Sequence, residues 1–196
     1  MVTESKIDLI MDRFSIQNIQ KLASLTSELD YEQASSLFLK LRVLEKQDES
    51  YKPIRNHLRS LIKDYEQNNW ADENSISDNQ IKESDLAEAL VQAENDFYQK
   101  RKELIKSKLK VAGLTQNDLA KILGHRKGYM SELINGLRPF SKEDLIIINR
   151  LFKIKLEDLI PTFIKQDRAF HIKKTLESLS HNRIKLTKKD FDLQMF

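Results

Sequence analysis

Residues 113–139 read GLTQNDLAKILGHRKGYMSELINGLRP. Thr115 and Asp118 stand three apart, the spacing at which a hydroxyl and a carboxylate satisfy each other's backbone amides in a capping box. A short helix therefore opens here, with Leu119, Ala120 and Leu123 on its inner face and Gly124 as its stop. After a brief turn, Met130, Leu133 and Ile134 predict a second short helix ending at Asn135-Gly136, two residues that tolerate a left-handed C-cap. Two short helices joined by a tight glycine-bearing turn form a helix-turn-helix, the unit that lays its second helix in the DNA major groove.

Working outward, Ser141 and Asp144 predict the cap of a further helix carrying Leu145, Ile148, Leu151 and Phe152, and Leu156 to Ile160 make a last turn before Pro161. Upstream, Leu86, Leu90, Ala93, Phe97, Leu104, Ile105 and Leu109 recur at helical spacing up to Gly113, from a cap at Ser84 or Asp85. This makes five helices. Before them, Ala71 to Ser84 is rich in Asn, Asp and Ser and reads as a linker. Further upstream, Asp30 reads as the N-cap of a helix presenting Tyr31, Ala34, Leu37, Phe38, Leu41 and Leu44. A polar break, Glu45 to Ser50, separates it from a helix over Tyr51 to Tyr65 with Ile54, Leu58, Leu61 and Ile62 on its apolar side. One or two shorter helices are expected over Ile7 to Leu29. The tail from Gln166 predicts one more amphipathic helix (Phe170, Ile172, Leu176, Leu179) and a Lys-rich, strand-like end from Ile184 to Phe196.

Four glycines and three prolines in 196 residues are too few for the many tight turns of a sandwich or barrel. The expected fold is all-α. It has an N-terminal helical region (1–70), a polar linker (71–84), a five-helix DNA-binding domain with a long leading helix (85–165) and a C-terminal helix and tail (166–196). Charge divides along the same line. Residues 1–96 hold 11 Lys and Arg against 19 Asp and Glu, residues 97–165 hold 15 against 7, and the last 31 hold 7 against 4. The basic segment coincides with the helix-turn-helix, which fits a polyanionic partner there and a different partner for the acidic half.

Thr115-Gln116, Leu119-Ala120, Gly124, Met130-Ser131, Asn135-Gly136, Arg138-Pro139 and the terminal Leu156-Glu157-Asp158-Leu159-Ile160 together resemble the lambda-repressor-like (Cro or XRE) helix-turn-helix family. The resemblance covers about a third of the chain and implies that fold and DNA binding. Upstream, Asp30-Tyr31-Glu32-Gln33-Ala34 and Ile62-Lys63-Asp64-Tyr65-Glu66 resemble the frame of the two helices that precede this domain in HigA-type antitoxins. That resemblance implies an antitoxin that neutralises a HigB/RelE-like ribonuclease toxin and represses its own operon. The linker is longer than the pattern, and the turn after Gly124 is one residue longer.

Geometry nominates the DNA contacts. If Met130, Leu133 and Ile134 face the core, then Lys127, Gly128, Tyr129, Ser131 and Glu132 fall on the opposite face or at the exposed start of the helix, as base-reading candidates. Gly128 leaves room for close approach, Tyr129 offers an aromatic edge to a thymine methyl, and Glu132 is able to accept from cytosine N4. Gln116, at a helix start where backbone donors favour an anion, is expected on a phosphate, a contact the family resemblance also assigns. Lys121, Arg126, Asn135 and Arg138 complete the phosphate set. For a toxin, Tyr31, Leu37, Phe38, Leu58, Ile62 and Tyr65 mark the expected region. Each has a plain alternative: Lys127 and Arg126 as solvated charges, Tyr129 as packing, Glu132 as a surface ion-pair partner, the Tyr31 to Leu44 stripe as ordinary core, and Trp70 as a local core cap.

Nothing points to catalysis. His57, His125, His171 and His181 are scattered without ligand spacing, and there is no Gly-rich phosphate loop or nucleophile elbow. The absence of cysteine excludes disulfides and thiolate metal sites and fits a reducing compartment. Met1 to Gln20 carries Lys6, Asp8, Asp12 and Arg13, unlike the core of a secretory signal. The longest apolar run, Leu145 to Ile148, is far short of the roughly 20 residues of a membrane helix. The sequence thus predicts a cytoplasmic, non-enzymatic transcriptional repressor and antitoxin without cofactor or metal. It would bind double-stranded operator DNA as a homodimer and would not contact a membrane. A stand-alone regulator without a toxin is the alternative reading.

Overall fold

A computed structural model describes residues 14–46, 48–161 and 166–179. Among the described residues there are seven α-helices and no strand, as the composition predicts. They are α1 (Glu28–Glu45), α2 (Lys52–Asn69), α3 (Asp78–Val111), α4 (Gln116–Ile122), α5 (Lys127–Ile134), α6 (Lys142–Phe152) and α7 (Gln166–Ser178). Short 3-10 turns at Ile19–Lys21, Glu49–Tyr51, Glu73–Ser75 and Leu156–Asp158 punctuate them. The fifth helix expected of the DNA-binding domain is the last of these turns. No described helix is long and apolar enough to cross a membrane.

Two helix starts lie upstream of their expected caps. Ser27, not Asp30, caps α1: its hydroxyl accepts from the Asp30 amide at 3.1 Å. Asp30 sits inside the first turn instead, where its carboxylate accepts from the amide and hydroxyl of Thr26 at 2.9 and 2.8 Å. Similarly, α3 is capped by Ser77, which accepts from the Gln80 amide at 3.2 Å, so residues 78–84 of the expected linker are helical. Sequence polarity hid this start because α3 docks through small and polar groups. Ala87 and Val91 are buried, Ser36 of α1 donates to Asn95 across 2.9 Å, and Gln80 donates to the Asn69 carbonyl at 2.8 Å. The expected helices over Ile7 to Leu29 reduce, among the described residues, to the turn at Ile19–Lys21, with Ile16, Ile19 and Leu25 buried. Residues 1–13 and the strand-like end, Ile184 to Phe196, lie outside the described residues.

At ~1.5 Å rise per residue the 34 residues of α3 extend about 50 Å. One helix thereby serves two cores. Its first half lies along α1, while Arg101, Ile105 and Leu109 of its second half enter the C-terminal domain. The N-terminal core gathers Ala34, Leu37, Leu41 and Leu44 of α1 with Ile54, Leu58, Leu61 and Tyr65 of α2, and Trp70 packs on its edge. The other core joins Ile105 and Leu109 to Leu119, Ala120, Met130, Leu133, Ile134, Ile148, Phe152 and Leu159. Full burial of a leucine contributes roughly 1.5–3 kcal/mol, so either set is ample to fix its helices.

The two cores also meet through the loop after α5. Leu137 belongs to the N-terminal core although the sequence places it within the C-terminal domain. Gly136 makes this approach possible. Its φ of +70° is left-handed, and a Cβ there would come within 2.8 Å of the Tyr98 ring.

Candidate nucleic-acid interface

The helix-turn-helix forms from local chemistry. Thr115 Oγ1 accepts from the Asp118 amide at 3.2 Å, and the Asp118 carboxylate accepts from the Thr115 amide at 2.9 Å, completing the predicted box that starts α4. Gly124, at φ +73°, turns the chain toward α5. An equivalent box at Ser141 and Asp144 starts α6. His125 in the turn reaches that second cap, with Nε2 at 3.0 Å from Asp144 Oδ1. The turn and α6 are thereby tied together.

Helix α5 is anchored at its far end by α3. Met130, Leu133 and Ile134 are fully buried, and the Arg101 guanidinium donates to the Leu133 carbonyl at 3.4 Å and to the Leu159 carbonyl at 3.3 Å. The same guanidinium lies 4.8 Å from the Tyr98 ring centre and 5.0 Å from that of Phe140. Burial lowers the Arg101 pKa, yet a guanidinium stays charged in proteins. A cation in an aromatic sleeve thus adds a donor to the Leu133 carbonyl, which also accepts from the Gly136 amide at 3.2 Å, and supplies one to the Leu159 carbonyl.

The start of α5 is free. Lys127, Gly128 and Tyr129 are exposed and Ser131 is half-buried, so four of the five base-reading candidates keep access to a groove. Glu132 does not, which corrects the sequence expectation. It is buried, its carboxylate accepting from the Tyr51 hydroxyl at 2.7 Å and pairing with Arg138. Glu132 follows Met130 by about 200° round the helix, so counting residues turns it away from the domain's own core. That side is covered by the start of α2 instead, a neighbour no local periodicity reveals. Burial and the Glu132 carboxylate both push the Tyr51 hydroxyl pKa well up, so it is held as a donor.

Among the phosphate candidates, Gln116 is half-buried at the start of α4, Arg126 is exposed just before α5, and Lys121 is exposed and 3.7 Å from Asp118. Asn135 turns inward, its amide donating to the Ser131 carbonyl at 2.8 Å. Arg138 is held by Glu132 and lies 5.4 Å from the Tyr129 ring centre. Tyr129 also sets its ring against His125, 5.1 Å away. The structure therefore gathers Arg126, Lys127, Gly128 and Tyr129 on one accessible turn and ties Asn135 and Arg138 to the protein. Tyr51, Arg101, His125 and Leu137, which sequence reasoning did not nominate, hold this arrangement in place.

The six residues expected to meet a toxin turn inward. Leu37, Leu58 and Tyr65 are buried in the N-terminal core, and Tyr31, Phe38 and Ile62 pack against it. They hold α1 on α2, while Tyr31, Phe38 and Ile62 remain half-buried. Tyr31 stacks on Tyr65 at 5.3 Å between ring centres and donates to Glu66 at 2.9 Å. Burial first, and then Glu66, push the Tyr31 hydroxyl up to about 12. Tyr65 donates to the buried Glu28 at 3.0 Å. Among the described residues no group of three or more His, Asp or Glu is placed to hold a metal ion.

Comparison with known proteins agrees with this geometry. The helix-turn-helix family matches residues 105–159, from the buried Ile105 of α3 to the buried Leu159 after α6. No curated protein and no solved structure matches the chain. Residues 105–159 are thus a helix-turn-helix domain of the lambda-repressor-like kind, which implies DNA binding and suggests a transcriptional regulator.

Proposed function

We propose that the protein is a transcriptional repressor that binds double-stranded operator DNA as a homodimer and acts without a toxin partner. Lys127, Gly128, Tyr129 and Ser131 read bases from the first turns of α5, and Gln116, Lys121 and Arg126 anchor phosphates around it. One observation carries this reading. The start of α5 is exposed and flanked by cations, while the rest of the helix is locked between two cores. That combination positions a few side chains rigidly for a groove, where the N-terminal residues of a recognition helix meet base edges. Two copies are needed because a single short helix spans only half of an operator.

The test is selection of duplexes from a random pool by the full-length protein, followed by a salt titration. A recurring sequence with two related half-sites, bound with an affinity that falls steeply with salt, is the expected result. Failure to enrich any sequence would overturn the reading.

A second reading, a HigA-like antitoxin acting on a HigB/RelE-like ribonuclease, is favoured by the contacts of Tyr31 with Tyr65 and Glu66. The residues that frame the resembling segment meet in space. A toxin would meet the half-buried Tyr31, Phe38 and Ile62 or the outer side of α1, where Leu39 and Val43 are exposed. Co-purification of the protein with the product of an adjacent small gene, with loss of that product's ribonuclease activity, would decide for it.

A further inference from the structure

The reading helix is gripped from the N-terminal region through a polar relay. Tyr51, buried at the start of α2 and far upstream of the matched segment, donates to Glu132 of α5 at 2.7 Å. The other oxygen of that carboxylate takes Nε of Arg138. The Arg138 guanidinium in turn lies against Tyr129, the exposed aromatic of the reading surface. Leu137, seated in the N-terminal core, holds the loop that carries Arg138.

We propose that Tyr51 is a positioning residue for DNA reading, resting on the DNA-binding function above. By holding Glu132 it keeps Arg138 over Tyr129 and away from phosphate, and so sets how sharply the protein distinguishes its operator from other duplexes. A buried carboxylate needs both oxygens satisfied. Without the Tyr51 hydroxyl one oxygen has no partner, and Glu132 turns toward water and releases Arg138. A released guanidinium meets any phosphate within reach, whatever the sequence, while Tyr129 keeps His125 but loses Arg138 from its ring. Discrimination falls, and binding to unrelated DNA does not. General destabilisation acts differently, weakening binding to every duplex alike.

The experiment uses full-length protein, a duplex it selects from a random pool, and an unrelated duplex of equal length. Tyr51→Phe is expected to lower the selected-to-unrelated affinity ratio about tenfold, the size of effect of losing one bond to a buried charge. On the unrelated duplex the double-logarithmic salt slope should steepen by about 0.9, one added phosphate contact. Tyr65→Phe is the control. It removes the bond from Tyr65 to Glu28 in the same pair of helices without touching α5, so it should lower the melting temperature and keep the ratio. Glu132→Gln approaches the relay from the other side. It weakens the hold on Arg138 and should steepen the slope similarly, and Tyr51→Phe added to it should lower the ratio no further. A Tyr51→Phe ratio equal to wild type, equal losses in Tyr51→Phe and Tyr65→Phe, or an unchanged slope in Glu132→Gln would each overturn the proposal. Wild-type protein that selects no duplex would overturn the DNA-binding reading and this proposal with it, whereas a selecting wild type with an unaffected Tyr51→Phe overturns the proposal alone.

Discussion

Gly136 lies so close beneath Tyr98 that a methyl group on its α-carbon would stand 2.8 Å from the ring. The contact joins the loop after α5 to the middle of α3 and sets where Leu137 and Arg138 emerge. Gly113 is a useful comparison: its φ is also left-handed, at +67°, but a Cβ there meets nothing within 4 Å. Gly113→Ala should cost about 1 kcal/mol from backbone strain alone, and Gly136→Ala about 2–4 kcal/mol once Tyr98 must move. Denaturant unfolding of the two variants measures the difference, and equal costs would show that Tyr98 yields freely.

Arg101 is the second structural prediction. Its guanidinium serves the carbonyls of the buried Leu133 and Leu159 from within an aromatic sleeve. Arg101→Met keeps much of the volume but removes the donor to the Leu159 carbonyl and leaves Leu133 only its backbone partner, at an expected cost of about 1–3 kcal/mol. Lysine should not rescue it, because a single ammonium lacks the fork that reaches both acceptors. Thermal and denaturant unfolding of the two variants checks this.

Phosphate anchoring is a matter of slopes. Lys121→Ala and Arg126→Ala should each weaken binding to selected and unrelated duplexes alike and reduce the double-logarithmic salt slope by about 0.9. Unchanged slopes would remove them from the interface.

Alkaline pH should loosen the N-terminal helices. The Tyr31 hydroxyl is held up to about 12 against an ordinary 10.0, so the folded state keeps its proton more tightly than the unfolded chain does. A raised pKa contributes stability in full below pH 10 and loses it as pH climbs toward 12. Tyr51 and Tyr65 are shifted in the same direction. Urea midpoints should therefore fall over that window, and Tyr31→Phe should make the fall shallower. A fall no shallower in the variant would mean that the Tyr31 to Glu66 bond contributes nothing to folding.

What the sequence made legible was whatever is local. The capping boxes at Thr115 and Ser141 span three residues, and the stops at Gly113, Gly124 and Gly136 are single residues with left-handed φ. The turn residues and most buried apolar positions of α4, α5 and α6 follow from the same short-range rules, although Leu151, on the expected apolar face of α6, is exposed. Two helix starts lie elsewhere than expected: at α1 an upstream serine takes the cap from a carboxylate, and at α3 the polar first turns read as linker. Glu132 was misjudged for a different reason: helical counting assumes that α5 has one neighbour, whereas Tyr51 arrives from 81 residues away to form a second. Likewise, the apolar stripes of α1 and α2 were visible, but a stripe does not say whether it faces a partner or its own sister helix. Here the two stripes face each other.

The most direct measurement is the affinity of Tyr129→Ala for a selected duplex and for an unrelated one. The side chain is uncharged and exposed at the start of α5, so its loss leaves phosphate anchoring intact. If α5 reads bases from its first turn, the variant should lose about 1–3 kcal/mol on the selected duplex and little on the unrelated one, with the salt slope unchanged. Equal losses on both duplexes, or no loss on either, would contradict the assignment of this helix as the reader.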